Sequence, residues 1–384
     1  MDPNFEALRG EFPLLAHKTY LNSGSYCALA NDVKAAFESY MNDRLLVGAN
    51  WDVWVMKNEA VRQGMATLLR AAPDEIAVTA SASAGLNALA SAVDFTGPRN
   101  KVVISDFEFP TSAQIWHAQA PRGARVVHAH PAQDGYIPLE EFEALIDEET
   151  QIVAITHVCF RNGAKLDIAG VARLAHAKGA KVLLDCYQSV GSELVDVKAL
   201  DVDFAIGGML KYLLGTAGIG FLYVRDALIP TLVPTNSGWF AQEHITAMDI
   251  TGNHPSPTAR RFEAGTPPVV NCYAAEAGLK IINAIGPEAI GERVRGLTRR
   301  CMERLEEIGW PAVTPALDAR RGPMLAIRSR DAGALATWLM ARDIVPSHRD
   351  DNLRAGFHYY NNDDDIEAFI AAMTQARPQF HWNT

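Results

Sequence analysis

The chain has 384 residues, 48% of them hydrophobic and 21% charged, with 45 acidic against 35 basic side chains for a formal net charge of -10. That is enough chain for about two domains with a sizeable core, and the composition is that of a folded protein, not a disordered one. The acidic balance, without any basic run, excludes nucleic acid or anionic membrane as the main partner, and no apolar run reaches the roughly 20 residues that span a bilayer.

From the N-terminus, apolar residues spaced three and four apart predict helices over 32–46 and 56–69, ended by the Pro73-Asp74 break. A regular alternation then begins. Strands are predicted over 75–79, 101–105, 124–128, 151–158 and 181–186, with helices over 83–93, 111–120, 138–146 and 168–178 between them. Two further strands, 203–207 and 218–224, follow. Short apolar runs alternating with amphipathic helices mark a largely parallel sheet covered on both faces.

Beyond Pro230 the texture changes. The 231–259 stretch is loop-rich, helices are predicted over 273–285 and 287–308, and 324–328, 332–342, 344–346, 354–360 and 365–373 read as a small α+β domain. The expected fold is α/β: an N-terminal segment over 1–20 packing on the small domain, a large domain over 21–260, and linking helices with the small C-terminal domain over 261–384. Cys27, Cys159, Cys186, Cys272 and Cys301 are scattered without a Cys-x-x-Cys pair, so neither a disulfide framework nor a zinc site is expected, and a cytoplasmic setting fits. The acidic start, Met1-Asp2-Pro3-Asn4, has no apolar stretch of a secretory signal. His128 and His130 alternate along a strand without a partner cluster, so no metal site is expected.

Ligands of an open parallel sheet bind at the carboxyl ends of its strands. Four ends are informative. Thr79-Ala80-Ser81-Ala82-Ser83-Ala84-Gly85 leads into a helix whose free N–H groups can hold a phosphate, or which Ser81 or Ser83 simply caps. Phe109 offers a ring for a flat ligand or a core side chain. Asp185 ends the apolar Val182-Leu183-Leu184, where a buried carboxylate is costly unless it meets a cation or strong donors. Lys211 lies just past Gly207-Gly208, where glycines permit close approach of something large. Together these match the needs of pyridoxal phosphate: a helix end for the phosphate, a stacking ring, a carboxylate for the pyridine nitrogen and a lysine for the carbonyl carbon.

In this order the elements resemble the class V aminotransferase superfamily, pyridoxal-phosphate enzymes of fold type I, from Tyr20-Leu21-Asn22-Ser23-Gly24 to Tyr360-Asn361. The resemblance implies that Lys211 bonds the cofactor, Asp185 pairs with its ring nitrogen, Gln188 lies near its phenolic oxygen, Phe109 stacks on it, and Ala82 and Ser83 form the phosphate turn. Thr266, in Gly265-Thr266-Pro267, matches the element that reaches the phosphate from a second subunit, which implies a homodimer with shared sites. Arg354 matches the arginine that forks onto a substrate α-carboxylate; the alternative is a surface ion pair with Asp350 or Asp351. Trp239 caps the phosphate or substrate ring, or packs at a domain seam, and Cys27 borders the substrate as inert packing or as a reactive thiol.

The implied substrate is a small-molecule amino acid, with Lys211 as base at Cα. Residues 157–163, followed by Asp167, are similar to the corresponding strand end of kynureninases, which points to side-chain cleavage by a kynureninase-like hydrolase or lyase. Leu210, Ser112 and Gln188 depart from the tyrosine, aspartate and histidine usual in that branch. Cysteine desulfurases carry a nucleophilic cysteine shortly before the carboxylate-binding arginine, and 344–353 has none. An aminotransferase is the alternative, ahead of an epimerase or a protein that holds the cofactor without turnover.

Overall fold

Asn4 caps the first helix, its side chain accepting from Ala7 N at 3.1 Å. The computed structural model describes residues 3–382. In chain order it contains α1 (Phe5–Arg9), β1 (Thr19–Tyr20), α2 (Asn31–Leu46), α3 (Trp51–Leu69), β2 (Ile76–Thr79), α4 (Ala82–Ala92), β3 (Lys101–Ser105), α5 (Pro110–His117) and β4 (Arg125–Ala129). Next come α6 (Leu139–Leu145), β5 (Thr150–Thr156), α7 (Ile168–Ala177), β6 (Lys181–Asp185), β7 (Phe204–Gly208) and β8 (Gly220–Val224). The remainder holds α8 (Val269–Ile285), α9 (Pro287–Glu307), β9 (Met324–Arg328), α10 (Ala332–Met340), β10 (Ile344–Val345), β11 (Ser347–Arg349), β12 (Asn352–Gly356) and α11 (Asp363–Phe380).

The main sheet has seven strands in the order β2-β8-β7-β6-β5-β3-β4. Strand β8 runs antiparallel to both β2 and β7, and the other neighbouring pairs are parallel. Side chains alternate across a strand, so adjacent apolar residues serve opposite faces. Val103, Val153, Leu184, Ala205 and Phe221 join one core cluster, while Val102, Ala154, Leu183, Phe204 and Leu222 join another. Each such fully buried valine, leucine or phenylalanine stabilises the fold by roughly 1.5 to 3 kcal/mol. The sheet is therefore mainly parallel and covered on both faces, the architecture of fold type I.

Helix α3 starts five residues before the predicted position because Asn50 caps it, accepting from Val53 N. It buries Trp54, Val61, Met65 and Leu68 along one stripe and packs with α2 against α8. Lys57 pairs with Glu276 at 2.6 Å and the Tyr273 hydroxyl donates to Asp43 at 2.6 Å across these contacts. Helix α8 begins at Val269, right after Pro267-Pro268, four residues earlier than its periodicity predicts.

A three-stranded sheet, β11-β12-β9, forms the second layered unit with α9, α10 and α11, around Leu325, Ile327, Leu353, Phe369 and Met373. Of the element read over 354–360, the structure makes a strand only up to Gly356, beginning at Asn352. Near the N-terminus, Arg9 forks onto Asp365 at 2.8 and 3.0 Å, and β1 pairs with β10. Phe12 and Leu15 meanwhile join the large cluster beneath the main sheet. Among the described residues no helix is long and apolar enough to cross a membrane.

Candidate active site

Strands β5, β6 and β7 run parallel, so their carboxyl ends open on one side, and there lies a cavity of about 400 Å³. Lys211, Asp185, Gln188, Phe109, Ala82, Ser83 and Arg354 all line it. Thr266 and Trp239 do not. Thr266 borders a separate cleft of about 80 Å³ with Thr79, Ala80 and Ala84, behind the same turn. Trp239 packs its ring 5.8 Å from Trp51 and 4.5 Å from Phe240.

The turn into α4 is built by close backbone packing. Ser81 is the cap, its hydroxyl accepting from Ala84 N at 3.0 Å, which leaves the first N–H groups of the helix unpaired within it. A side chain at Gly220 would stand 2.7 Å from Ala82 N, so β8 presses on this turn only as glycine. Gly208 has a matching role: a Cβ there would meet the Tyr187 hydroxyl at 2.1 Å.

Lys211 Nζ sits over aromatic faces, 4.4 Å from the Tyr187 ring centroid and 5.9 Å from that of Phe109. Burial lowers its pKa to about 8, against the pull of the Asp185 charge. Asp185 is itself pushed up by burial, opposed by the Tyr187 N–H that donates to its Oδ1 at 3.0 Å and by Lys211. Gln188 donates from Nε2 to Gly24 O at 3.0 Å, tying the N-terminal segment to the cavity. Phe109 meets Phe160 edge-on at 5.1 Å.

Arg354 is 5% exposed. Its Nη1 donates to Phe160 O at 2.6 Å, while Nε has no partner among the described residues. Burial, and next the charge of Arg349, hold its pKa below the ordinary arginine value. It does not pair with Asp350, which lies 3.9 Å from Arg161.

Several neighbours of the cavity escaped sequence reasoning. Tyr187 stands two residues past Asp185 at the same strand end, a signal that was present. Arg349 also lines the cavity, but it is exposed, and beside Asp350 and Asp351 it reads in the sequence as a plain surface charge. Glu108, behind Phe109, is buried; its Oε1 accepts from Ser105 Oγ at 2.8 Å and Thr156 N at 2.7 Å. Burial first, then the Asp185 charge, push it up to about 8.

Cys27 is buried against Gly215 O, and burial raises its thiol to about 12. No cysteine lines the cavity among the described residues. His128 and His130 share a hydrogen-bond partner that the sequence did not show: Asp106 accepts from their Nδ1 atoms at 2.9 and 2.7 Å. Asp106 directly follows β3, which pairs with β4, a proximity that spacing alone does not reveal.

The fold and the cavity define a pyridoxal-phosphate enzyme of fold type I. The chain belongs to the class-V aminotransferase family, whose model matches residues 54–369. It is 34% identical over 365 residues to the uncharacterized aminotransferase YcbU of Bacillus subtilis (strain 168), covering 95% of this chain and 96% of that one. It is 28% identical over 408 residues to a cysteine desulfurase of Salmonella choleraesuis (strain SC-B67), covering 96% and 97%. The apo cysteine desulfurase from Thermococcus onnurineus NA1 superposes with a TM-score of 0.86 at 24% identity, covering 96% of this chain and 97% of that one, and shows the shared fold. Neither relative is named a kynureninase, the branch suggested by 157–163.

The residues present fit the family's cofactor, pyridoxal phosphate. A buried carboxylate, an amine resting on aromatic rings and an unpaired helix start converge on one cavity, and the buried Nε of Arg354 is left for a further ligand.

Proposed function

We propose that the enzyme binds a free amino acid by its α-carboxylate at Arg354, takes the Cα proton with Lys211 and cleaves the side chain, as a kynureninase-like hydrolase or a lyase. The observation that carries this reading is the pairing, in one cavity, of an arginine with an unsatisfied buried Nε and a lysine whose pKa is lowered to about 8. When bound, the pyridoxal phosphate supplies an electron sink for the pair left on Cα.

The chain's own residues do the rest. With Nη1 committed to Phe160 O, the Nε and Nη2 edge of Arg354 remains for a forked carboxylate contact, a geometry lysine cannot supply. A lysine of pKa about 8 is partly neutral near physiological pH, so Nζ can take and return the Cα proton. Asp185 holds a cationic ring nitrogen, the start of α4 at Ala82 and Ser83 holds the phosphate, and Gln188 lies by the phenolic oxygen. Phe109 stacks on the ring and, with Tyr187, keeps water from it. The absence of any cavity cysteine among the described residues supports a cleavage that uses no protein thiol.

The site is shared in a homodimer in this reading. Leu45 and Leu46 are 78% and 84% exposed where α2 ends, and Trp51, at the start of the next helix, touches Trp239. An apolar patch of this kind supports a contact between copies, through which Thr266 reaches the partner's phosphate. Five unpaired cysteines fit a reducing cytoplasm.

Transamination is the second reading, favoured by the name of the Bacillus relative. The two separate by product. Purified holoenzyme is incubated with a panel of amino acids, with and without a keto acid. Release of alanine or pyruvate without a keto acid is expected; a new amino acid formed only when the keto acid is present would replace cleavage by transamination.

A further inference from the structure

We infer that the substrate carries a second anionic group on its side chain and that Arg349 reads it. The inference rests on the amino-acid reading above and names the class of amino acid.

The hairpin of β11 and β12 brings two arginines to one face. Ser347 lies opposite Arg354 and Arg349 opposite Asn352, and residues two apart on a strand share a face. Arg349 and Arg354 are thus diagonal neighbours, with Cβ atoms about 7 Å apart at such positions, and both line the cavity. Their like charges oppose each other, the Arg349 charge adding to the burial that disfavours the Arg354 cation.

The Asp350 charge offsets this only in part, and burial with the Arg349 charge still holds the Arg354 pKa down. Among the described residues Arg349 makes no ion pair; its guanidinium rests 5.9 Å from the centroid of the Phe160 ring. Adjacent Asp350 turns to Arg161 instead. The lining residues include three cations, Lys211, Arg349 and Arg354, and one acid, Asp185. In the proposed complex Asp185 serves the ring nitrogen, α4 the phosphate and Arg354 the α-carboxylate. Arg349 is the cation left over. Its diagonal offset suits a carboxylate or similar anion a few carbons from the α-carbon, with Phe160 flanking the connecting methylenes.

The test is calorimetric titration of holoenzyme with L-aspartate, L-glutamate and L-2-aminoadipate against L-asparagine, L-glutamine and L-norleucine. At least one acid should bind about ten-fold tighter than its neutral counterpart, the difference between a charge-assisted and a neutral contact. Arg349→Gln should bring that ratio close to one, and Arg349→Lys should keep most of it. Equal affinity for acids and neutral analogues, a preference that survives Arg349→Gln, or a loss for both classes that leaves the ratio intact would each overturn the inference. Cofactor content, read separately from visible absorbance, distinguishes the two levels. A coloured protein without acid preference defeats only the side-chain inference, whereas a colourless one that pyridoxal phosphate does not restore defeats the amino-acid reading and this inference with it.

Discussion

Glu108 shows how the charge of Asp185 in the cavity reaches a buried residue behind it. It is 4% exposed, it accepts two hydrogen bonds at one oxygen, and the other makes none among the described residues. Its pKa rises from 4.5 to about 8, so the folded protein keeps a proton that the unfolded chain has released across that window. Stability from this group is therefore fully present below about pH 4.5 and is lost as pH rises through about 8. Glu108→Gln keeps the acceptor and removes the titration. Its urea midpoint should match wild type below about pH 4.5 and exceed it above pH 8, by up to roughly 5 kcal/mol in free energy. Parallel pH profiles for the two proteins would mean that the carboxyl is not held neutral. Lys211 and Asp185 were legible in the sequence because each is a charged residue at the end of an apolar strand. Arg349 was not: beside Asp350 and Asp351 it reads as a solvated charge, and only the hairpin register sets it next to Arg354.

At the scale of elements, strands read well because burial on both faces writes an apolar run whatever the neighbours are. Their order and direction did not. The reversal of β8 depends on the 209–219 loop returning beside β7, which leaves no mark on local periodicity. Short elements failed for a related reason: β1 has two residues and exists only through its pairing with β10, more than 300 positions away in the chain. The starts of α3 and α8 were missed where a cap or a proline, not an apolar stripe, sets the first turn. The cavity inherits this pattern. Residues delivered by strands were found, and those delivered by register or by a glycine-permitted approach, such as Tyr187 against Gly208, were not.

At the scale of the whole molecule, the net charge of -10 says little about the ligand, since a helix end, Lys211 and two arginines make the cavity locally cationic. The exposed Met41, Leu45, Leu46 and Val47 give the assembly claim its test. Sedimentation should find a dimer, and Leu45→Lys with Leu46→Glu should shift it to monomer and weaken cofactor retention. A wild-type monomer with full cofactor occupancy would contradict a shared site. The claim on which everything else depends is that Lys211 bonds pyridoxal phosphate in the cavity beside Asp185. Borohydride reduction of the holoenzyme, followed by proteolysis and mass spectrometry, tests it most directly: the pyridoxyl label should fall on the peptide containing Lys211, and a label on another lysine, or none, would contradict it.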